Sequence, residues 1–185
     1  KLLVSKKKIN KTKSKLGYGS LIIPMAGLGK RFSNEGYKMT KPLIDVSGKP
    51  MIMQAINDLP STDQKIFVMR NTMNGYKEII EIIRMHYPEA KIKLLSKLSL
   101  GQASSVSSGL DLLDLREDYS PITIGACDNG AIYDEEILLN MVQEKRADVI
   151  VWSSKSHPNS KRNPNMYGWI DADTNGLIKK VSVKK

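Results

Sequence analysis

The sequence predicts an α/β fold with a mostly parallel central sheet. Short apolar runs rich in Ile and Val alternate along the chain with amphipathic stretches of helical periodicity. Strands that alternate with helices in this way are typical of parallel sheets with right-handed crossovers. Near the carboxyl end, two apolar runs are separated by only four turn-forming residues, DTNG, which predicts a β-hairpin.

Five segments have the apolar, β-branched content of strands. They are residues 21–24, 65–70, 91–96, 121–125 and 147–152. The hairpin is expected to pair residues 167–172 with residues 177–183.

Four amphipathic helices are expected between or after these strands. The first begins at Pro50, a residue suited to a first helical turn, and Pro60 closes it. The apolar faces of the other three fall within residues 76–83, 103–113 and 137–142. Between the last of these helices and the hairpin, residues 157–165 are expected to form a loop.

Composition limits the class of protein. At 185 residues, with 41% hydrophobic and 26% charged residues, the chain is long enough for one domain with a core. No apolar run approaches the ~18 residues of a membrane span, and no secretory signal is visible, so we expect a cytoplasmic protein. The single cysteine, Cys127, allows no internal disulfide and is expected to be a buried small hydrophobe.

The net charge of +10 is unevenly distributed. Seven lysines and no acid lie in residues 1–15, which leaves a charge of only +3 for the remainder. We therefore expect residues 1–19 to be a basic linker or tail, with an upstream domain as one possibility, and residues 20–185 to be the folded domain. This distribution argues against a nucleic-acid surface beyond the tail, although attachment of the tail to nucleic acid or anionic lipid stays an alternative.

A glycine-rich loop, MAGLGKRF at residues 25–32, follows the first predicted strand. It is not a dinucleotide fingerprint, because Phe32 stands where a third small residue is needed and residues 33–36 are expected to continue as loop. It is not a P-loop either, because Pro24 replaces the first glycine and Arg31 replaces the hydroxyl residue.

Three blocks in order resemble the amino-terminal signature of the sugar-phosphate nucleotidylyltransferases. The blocks are PMAGLGKRF at residues 24–32, KPLI at 41–44 and GKPM at 48–51. The resemblance implies a three-layer, Rossmann-like nucleotidyltransferase fold. It also implies an enzyme, similar to glucose-1-phosphate thymidylyltransferases, that joins a nucleoside triphosphate to a sugar 1-phosphate and releases pyrophosphate for surface polysaccharide synthesis. The family's domain continues past residue 185, so we expect this chain to be incomplete at its carboxyl end.

The resemblance also implies which residues form the site. It implies that Arg31 and Lys41 are catalytic and neutralise charge, and that Asp128 binds Mg²⁺. The nucleotide, preferably a pyrimidine nucleotide, is expected to bind to Ala26, Gly27, Gly29 and Gln102. The sugar phosphate is expected to bind to Gly168 and Lys184. Two positions depart from the family's pattern, because Thr40 stands in place of a proline and Val183 in place of a glutamate. The attacking phosphate oxygen is already anionic, so the reaction needs charge neutralisation and alignment but no side chain that removes a proton.

Each assignment has a structural alternative. The two glycines can serve a tight turn alone, Arg31 and Lys41 can be solvated surface charges, and Asp128 can cap a loop. Ser99 and Gln102 have the spacing of a helix capping box, in which the glutamine bonds backbone instead of a base. Lys184 can be one more exposed strand lysine.

The sequence DADTNG at residues 171–176 resembles two metal motifs. It matches the opening of a calcium loop, but Ser182 stands at the twelfth position instead of a glutamate. Asp171-x-Asp173 also matches the metal motif of nucleotide-sugar glycosyltransferases. A hairpin turn explains these residues better.

Two alternatives to a nucleotidylyltransferase are left open by the sequence. One is a nucleotide-sugar glycosyltransferase, and the other is a non-catalytic nucleotide-binding or regulatory domain.

Overall fold

The structure is a computed structural model, and it describes residues 19–114, 120–155 and 158–182. The chain divides into two compact units, the first ending at Glu144 and the second beginning at Lys145. The strands of the first unit are β1 Ser20–Pro24, β2 Asp45–Val46, β3 Lys49–Pro50, β4 Gln64–Arg70, β5 Lys91–Leu95 and β6 Ile122–Ile124. Its helices are α1 Lys30–Asn34, α2 Met51–Asn57, α3 Tyr76–His86, α4 Gln102–Leu110 and α5 Glu135–Leu139. None of the helices in the described ranges is long and apolar enough to cross a membrane.

Four of these strands form one sheet in the order β5-β4-β1-β6, and every neighbouring pair is parallel. Ile22 of β1 lies between Ile66 of β4 and Ile124 of β6. The chain builds outward from β1 to β4 and β5, and then crosses to the other side of β1 for β6. The carboxyl ends of β1 and β6 therefore flank a topological switch point, the place where open α/β sheets bind ligands.

Helices cover both faces of this sheet, so the predicted three-layer α/β fold is confirmed. Strand residues alternate between the two faces. On one face, apolar side chains of β1 and β4 pack with α2 and α3 through Leu21, Ile23, Phe67, Met69, Ile52, Ile56, Ile79 and Ile83. On the other face, the strand residues pack against α4 and the segment after it through Ile22, Ile66, Val68, Val106, Leu112 and Leu113.

Helix α4 lies close to the sheet because Gly109 has no side chain. A Cβ atom at Gly109 would lie 2.9 Å from Cγ2 of Val68 and 3.0 Å from Cγ2 of Ile22. Such distances are shorter than ordinary carbon contacts, so the helix can sit at this depth only with glycine here. The close packing fixes the direction of α4 and brings its first residue, Gln102, to the carboxyl edge of the sheet.

The second unit contains the predicted hairpin. Strands β7 Trp169–Ala172 and β8 Ile178–Ser182 pair antiparallel, and they follow a short helix, α6 Pro158–Arg162. In the turn, Oδ1 of Asp173 accepts the backbone N–H groups of Asn175 and Leu177 at 2.9 and 3.0 Å, while Oδ2 lies 3.1 Å from Nζ of Lys179. The lysine and the turn amides lower the pKa of Asp173. Its carboxylate is thus used by the turn, as the hairpin interpretation of DADTNG predicts.

One predicted strand is wrong. Residues 147–152 form no strand, and Val149, Val151 and Trp152 are exposed. An apolar run becomes a strand only where a neighbouring strand satisfies its backbone groups, and apolar content alone does not supply that neighbour.

Two predicted loops contain short helices. Residues 33–36 were expected to continue as loop, but Ser33 and Asn34 belong to α1. This helix begins directly after Gly29, whose φ of 63° is in the left-handed region. Within the predicted loop 157–165 lie α6 and the start of a 3₁₀ turn, Pro164–Met166. Helices of five residues span barely more than one turn, so they leave no periodic pattern for sequence analysis to detect.

Candidate functional site

A cavity of about 760 Å³ lies at the carboxyl edge of the four-stranded sheet. Each of the four parallel strands sends the segment that follows it to the cavity wall. The described residues that line it lie within 24–33, 37–42, 70–74, 98–105 and 126–128. The site therefore lies at the switch point that the strand order creates.

The glycine loop forms one wall of this cavity. It leaves β1 through Met25, whose backbone N–H donates to the carbonyl of Val68 at 2.8 Å. Apart from its two chain neighbours, no described residue has an atom within 4 Å of the position that a Cβ of Gly27 would occupy, so the main chain there is open to a ligand. Gly29 has a φ of +63°, a left-handed conformation that favours glycine over residues with a side chain.

Arg70, at the end of β4, holds the same loop. Its Nε donates to the carbonyl of Ala26 at 2.7 Å, its Nη2 donates to the carbonyl of Gly27 at 3.4 Å, and its Nη1 donates to the hydroxyl of Thr72 at 3.0 Å. Sequence analysis missed this residue. The available signal was an arginine that directly follows four buried apolar residues, 66–69, at the end of a strand.

Lys41 and Asp128 meet inside the cavity. Nζ of Lys41 lies 2.5 Å from Oδ2 of Asp128, with the two side chains 20% and 28% exposed. The same ammonium group lies 5.3 Å from the ring centroid of Phe32, which packs edge-on against Tyr37. Lys41 begins a 3₁₀ turn whose next two residues are buried, and this turn anchors it. Lys41 is therefore a positioned side chain and not a freely solvated one.

The cavity wall is strongly positive. Among the described lining residues, five carry a positive charge, and Asp128 is the one carboxylate. The cations are Lys30, Arg31, Lys38, Lys41 and Arg70. Lys30, Lys38 and Arg70 were not predicted from the sequence. A concave wall with this excess of one sign concentrates ligands of the opposite charge.

Gln102 is the first residue of α4, and its exposed side chain lines the cavity. The capping-box alternative is wrong, because Gly101 and not Ser99 is the N-cap, with no side-chain cap. The Ser99 hydroxyl instead contacts the buried hydroxyl of Ser105 at 2.8 Å and the carbonyl of Gly101 at 3.2 Å. Gln102 is thus presented to the cavity, as a base-reading residue must be.

Cys127 lies between Ala126 and Asp128 at the base of the site. It is buried, and burial raises the pKa of its thiol to about 11, although the nearby charge of Lys41 acts in the opposite direction. At neutral pH the sulfur is therefore protonated and is a poor nucleophile. This confirms the expectation that Cys127 is a small buried hydrophobe.

No family model matches the sequence, and no curated protein matches it significantly. Solved structures do match. The nucleoside-diphosphate-sugar pyrophosphorylase from Vibrio cholerae RC9 is similar with a TM-score of 0.63 and 18% sequence identity, over 89% of this chain and 67% of that chain. This chain has a sugar-nucleotidylyltransferase-like fold. The resemblance implied by the three sequence blocks is therefore confirmed at the level of the fold.

Two further structures share this nucleotidylyltransferase-like fold. HddC from Yersinia pseudotuberculosis gives a TM-score of 0.59 at 17% identity, over 90% of this chain and 69% of that chain. A UDP-glucose pyrophosphorylase complexed with UDP-glucose gives 0.56 at 13% identity, over 91% and 69% of the two chains. This chain thus spans about two thirds of the length of each.

The nucleotidylyltransferase-like fold brings seven of the nine predicted site residues to one cavity. These are Ala26, Gly27, Gly29, Arg31, Lys41, Gln102 and Asp128. Gly168 belongs to the second unit, just before β7, and Lys184 lies outside the described residues. The roles assigned to all nine stay predictions.

Among the described residues, no group of three or more His, Cys, Asp or Glu side chains could hold a metal ion without other ligands. Mg²⁺, however, usually keeps several waters and binds proteins through one or two carboxylates together with phosphate oxygens. The single carboxylate of Asp128, 28% exposed and facing the cavity, fits that mode of binding.

Proposed function

We propose that this protein is a nucleotidylyltransferase that joins a nucleoside triphosphate to a sugar 1-phosphate and releases pyrophosphate. The observation that carries the proposal is the cavity wall, whose described residues include an open glycine loop, five cations and one carboxylate. The similar solved structures support it, since they include a nucleoside-diphosphate-sugar pyrophosphorylase and a UDP-glucose pyrophosphorylase with its nucleotide sugar.

The triphosphate is the ligand that the loop and the cations suit best. Glycines allow backbone N–H groups to approach phosphate oxygens because no Cβ intervenes. Arg31 offers a planar fork of donors for the departing pyrophosphate, while Lys41 supplies a compact charge near the α-phosphate. The cavity volume of about 760 Å³ lies within the range of small-ligand sites.

The chemistry proposed is an in-line displacement at the α-phosphorus. An oxygen of the sugar phosphate forms a bond to that phosphorus, the bond to the β-phosphate oxygen breaks, and pyrophosphate leaves with the electron pair. The attacking oxygen is already anionic, so no general base is needed, and no histidine is among the described lining residues. The protein must instead hold two mutually repelling anions in line and neutralise their charge.

Lys41 and Asp128 change partners in this proposal. In the structure, each offsets the other's charge across 2.5 Å. An entering triphosphate attracts Lys41, which leaves the carboxylate of Asp128 available as a ligand of Mg²⁺. When bound there, Mg²⁺ would neutralise further charge on the phosphate oxygens.

We further propose that the nucleotide is a pyrimidine triphosphate read by Gln102, and that Gly168 and Lys184 hold the sugar phosphate. The product would serve surface polysaccharide synthesis. Residues 20–185 would form the nucleotidyltransferase domain, and residues 1–19 would form a basic linker.

The test is stabilisation of the full-length protein by ATP, GTP, CTP, UTP and dTTP with Mg²⁺, followed by release of pyrophosphate with sugar 1-phosphates. A ligand that binds the folded state raises the melting temperature by mass action, and one triphosphate should do so more than the others. Arg31→Ala should abolish turnover, whereas Arg84→Ala on the exposed face of α3 should not. If no triphosphate raises the melting temperature, the proposal is wrong. If a triphosphate binds to wild type without release of pyrophosphate, and Arg31→Ala only weakens this binding, the protein is a binding module.

A further inference from the structure

The last residue of β4, Arg70, faces the glycine loop. We propose that Arg70 is a positioning residue, which holds the loop so that its N–H groups face the phosphates, and that its positive charge is secondary. This inference rests on the proposed function, because the loop needs such a fixed geometry only if it binds an anion.

The backbone of Arg70 is paired with β5, and two residues earlier β4 is also paired with β1. Strand β4 pairs in parallel with β1, where Val68 is opposite Pro24, and with β5, where Arg70 is opposite Leu95. The next residue, Asn71, donates its N–H to the carbonyl of Leu95 at 3.0 Å. The guanidinium group therefore extends from a strand end that β5 holds in register.

All three guanidinium nitrogens have acceptors within the protein. Nε and Nη2 donate to two consecutive carbonyls, those of Ala26 and Gly27, and Nη1 donates to the hydroxyl of Thr72. A planar fork can bridge two neighbouring carbonyls in a fixed direction, which a single ammonium group cannot do. Three anchor points determine both the position of the fork and the rotation of the loop peptides.

The direction of these carbonyls sets the direction of the loop's N–H groups. No peptide bond among the described residues is cis, and in a planar trans peptide the carbonyl and the N–H point in opposite directions. Because the carbonyls of Ala26 and Gly27 face Arg70, the N–H groups of Gly27 and Leu28 point away from it. Within the described part of the chain, these two N–H groups donate to no protein acceptor. They are the donors that a phosphate would use.

Arg70→Lys separates a positioning role from a charge role, because lysine keeps the charge and loses the fork. The probe is inorganic tripolyphosphate, which has no base, titrated calorimetrically into the full chain at several salt concentrations. We expect Arg70→Lys to bind tripolyphosphate about tenfold more weakly than wild type, because a change of this size corresponds to the loss of one or two charge-assisted hydrogen bonds. Its salt dependence should match that of wild type, because the number of cations is unchanged. The matched control, Arg84→Lys, should bind as wild type does.

If Arg70→Lys binds tripolyphosphate as tightly as wild type, and only Arg70→Met is weaker, then the charge is what matters and the inference is wrong. If wild type itself fails to bind tripolyphosphate, it is the proposed function that fails. The two failures are therefore distinguishable.

Thr72 offers a second test that leaves Arg70 in place, in case the Arg70 variants do not fold. Thr72→Val removes the hydroxyl that anchors Nη1, whereas Thr72→Ser keeps it. We expect tripolyphosphate affinity to fall severalfold in Thr72→Val and to stay near the wild-type value in Thr72→Ser. Equal affinities in the two variants would contradict a positioning role.

Discussion

Individual side chains of the cavity have partners within the protein. Lys41 pairs with Asp128, and Arg70 holds the carbonyls of the glycine loop. A ligand therefore enters a site whose loop is already arranged, and it has to displace one ion pair. Preorganisation of this kind reduces the ordering cost of binding.

Asp128→Asn should release Lys41 for an anion. We expect tripolyphosphate without metal to bind about fivefold more tightly to this variant, since a partly exposed ion pair contributes on the order of 1 kcal/mol. Addition of Mg²⁺ should then strengthen binding less than it does in wild type. Titration calorimetry with and without Mg²⁺ measures both effects.

The matched control is Asp111→Asn, which removes an exposed carboxylate that lies 3.3 Å from Lys93. It should leave both affinities unchanged. Weaker metal-free binding by Asp128→Asn would show that Asp128 does not compete for Lys41.

Cys127 should react slowly and with an unusual dependence on pH. Because its pKa is raised to about 11, alkylation by iodoacetamide near pH 8 should be about a hundredfold slower than in the urea-unfolded chain. Its rate should still be increasing above pH 9. A rate that levels off near pH 9 would contradict the buried environment of this thiol.

The same pKa affects the stability of the fold. The folded pKa lies above the unfolded value of about 8.5, so the contribution of Cys127 is fully present below that pH and is lost as pH rises toward about 11. The free energy of unfolding of wild type, relative to that of Cys127→Ala, should therefore decline over this window. A difference that is independent of pH would argue against the shift.

Sequence reasoning found some site residues and missed others for a physical reason. Gly27, Arg31 and Lys41 stand in short local blocks that can be read directly from the chain. Arg70 and Lys38 carry no such pattern, and only the parallel sheet and the loop after α1 bring them to the cavity. Local blocks are visible in one sequence, whereas a partner contributed by another strand is not.

Helices and strands that bury a full apolar face were predictable, while short or partnerless elements were not. The stripe of α3 repeats at helical spacing, with Ile79 and Ile83 fully buried. The five residues of α1 are too few to show any period. Residues 147–152 have strand composition, yet they form no ladder, since composition does not determine pairing.

The packing of α4 on the sheet can be tested at Gly109. We expect Gly109→Ala to lower the free energy of unfolding by roughly 1–2 kcal/mol. Overpacking against Val68 and Ile22 typically costs about 1–3 kcal/mol and exceeds the gain in helix propensity of about 1 kcal/mol. Urea denaturation measures the change.

Ser107→Ala on the exposed face of α4 is the control, and it should be neutral or slightly stabilising. If Gly109→Ala stabilises the protein, propensity outweighs packing and α4 does not lie as close to the sheet as described.

At the scale of the whole molecule, the charge distribution and the strand topology both predict that a ligand binds in the same cavity. The strand order places a switch point beside β1, and the described wall of the cavity there has five cations against one carboxylate. The fold alone predicts where a ligand binds, and the charge predicts that the ligand is a polyanion. The identity of the base and of the sugar depends on finer contacts that neither property determines.

The most direct test of the account is calorimetric titration of the full chain with inorganic tripolyphosphate. Wild type and Arg84→Ala should bind with one site per chain, and an Arg31→Ala, Lys41→Ala double variant should lose most of that affinity. If the double variant binds as tightly as wild type, the anion is held elsewhere, for example on the lysines of residues 1–15. If wild type does not bind tripolyphosphate at all, the cavity is not a binding site for a triphosphate.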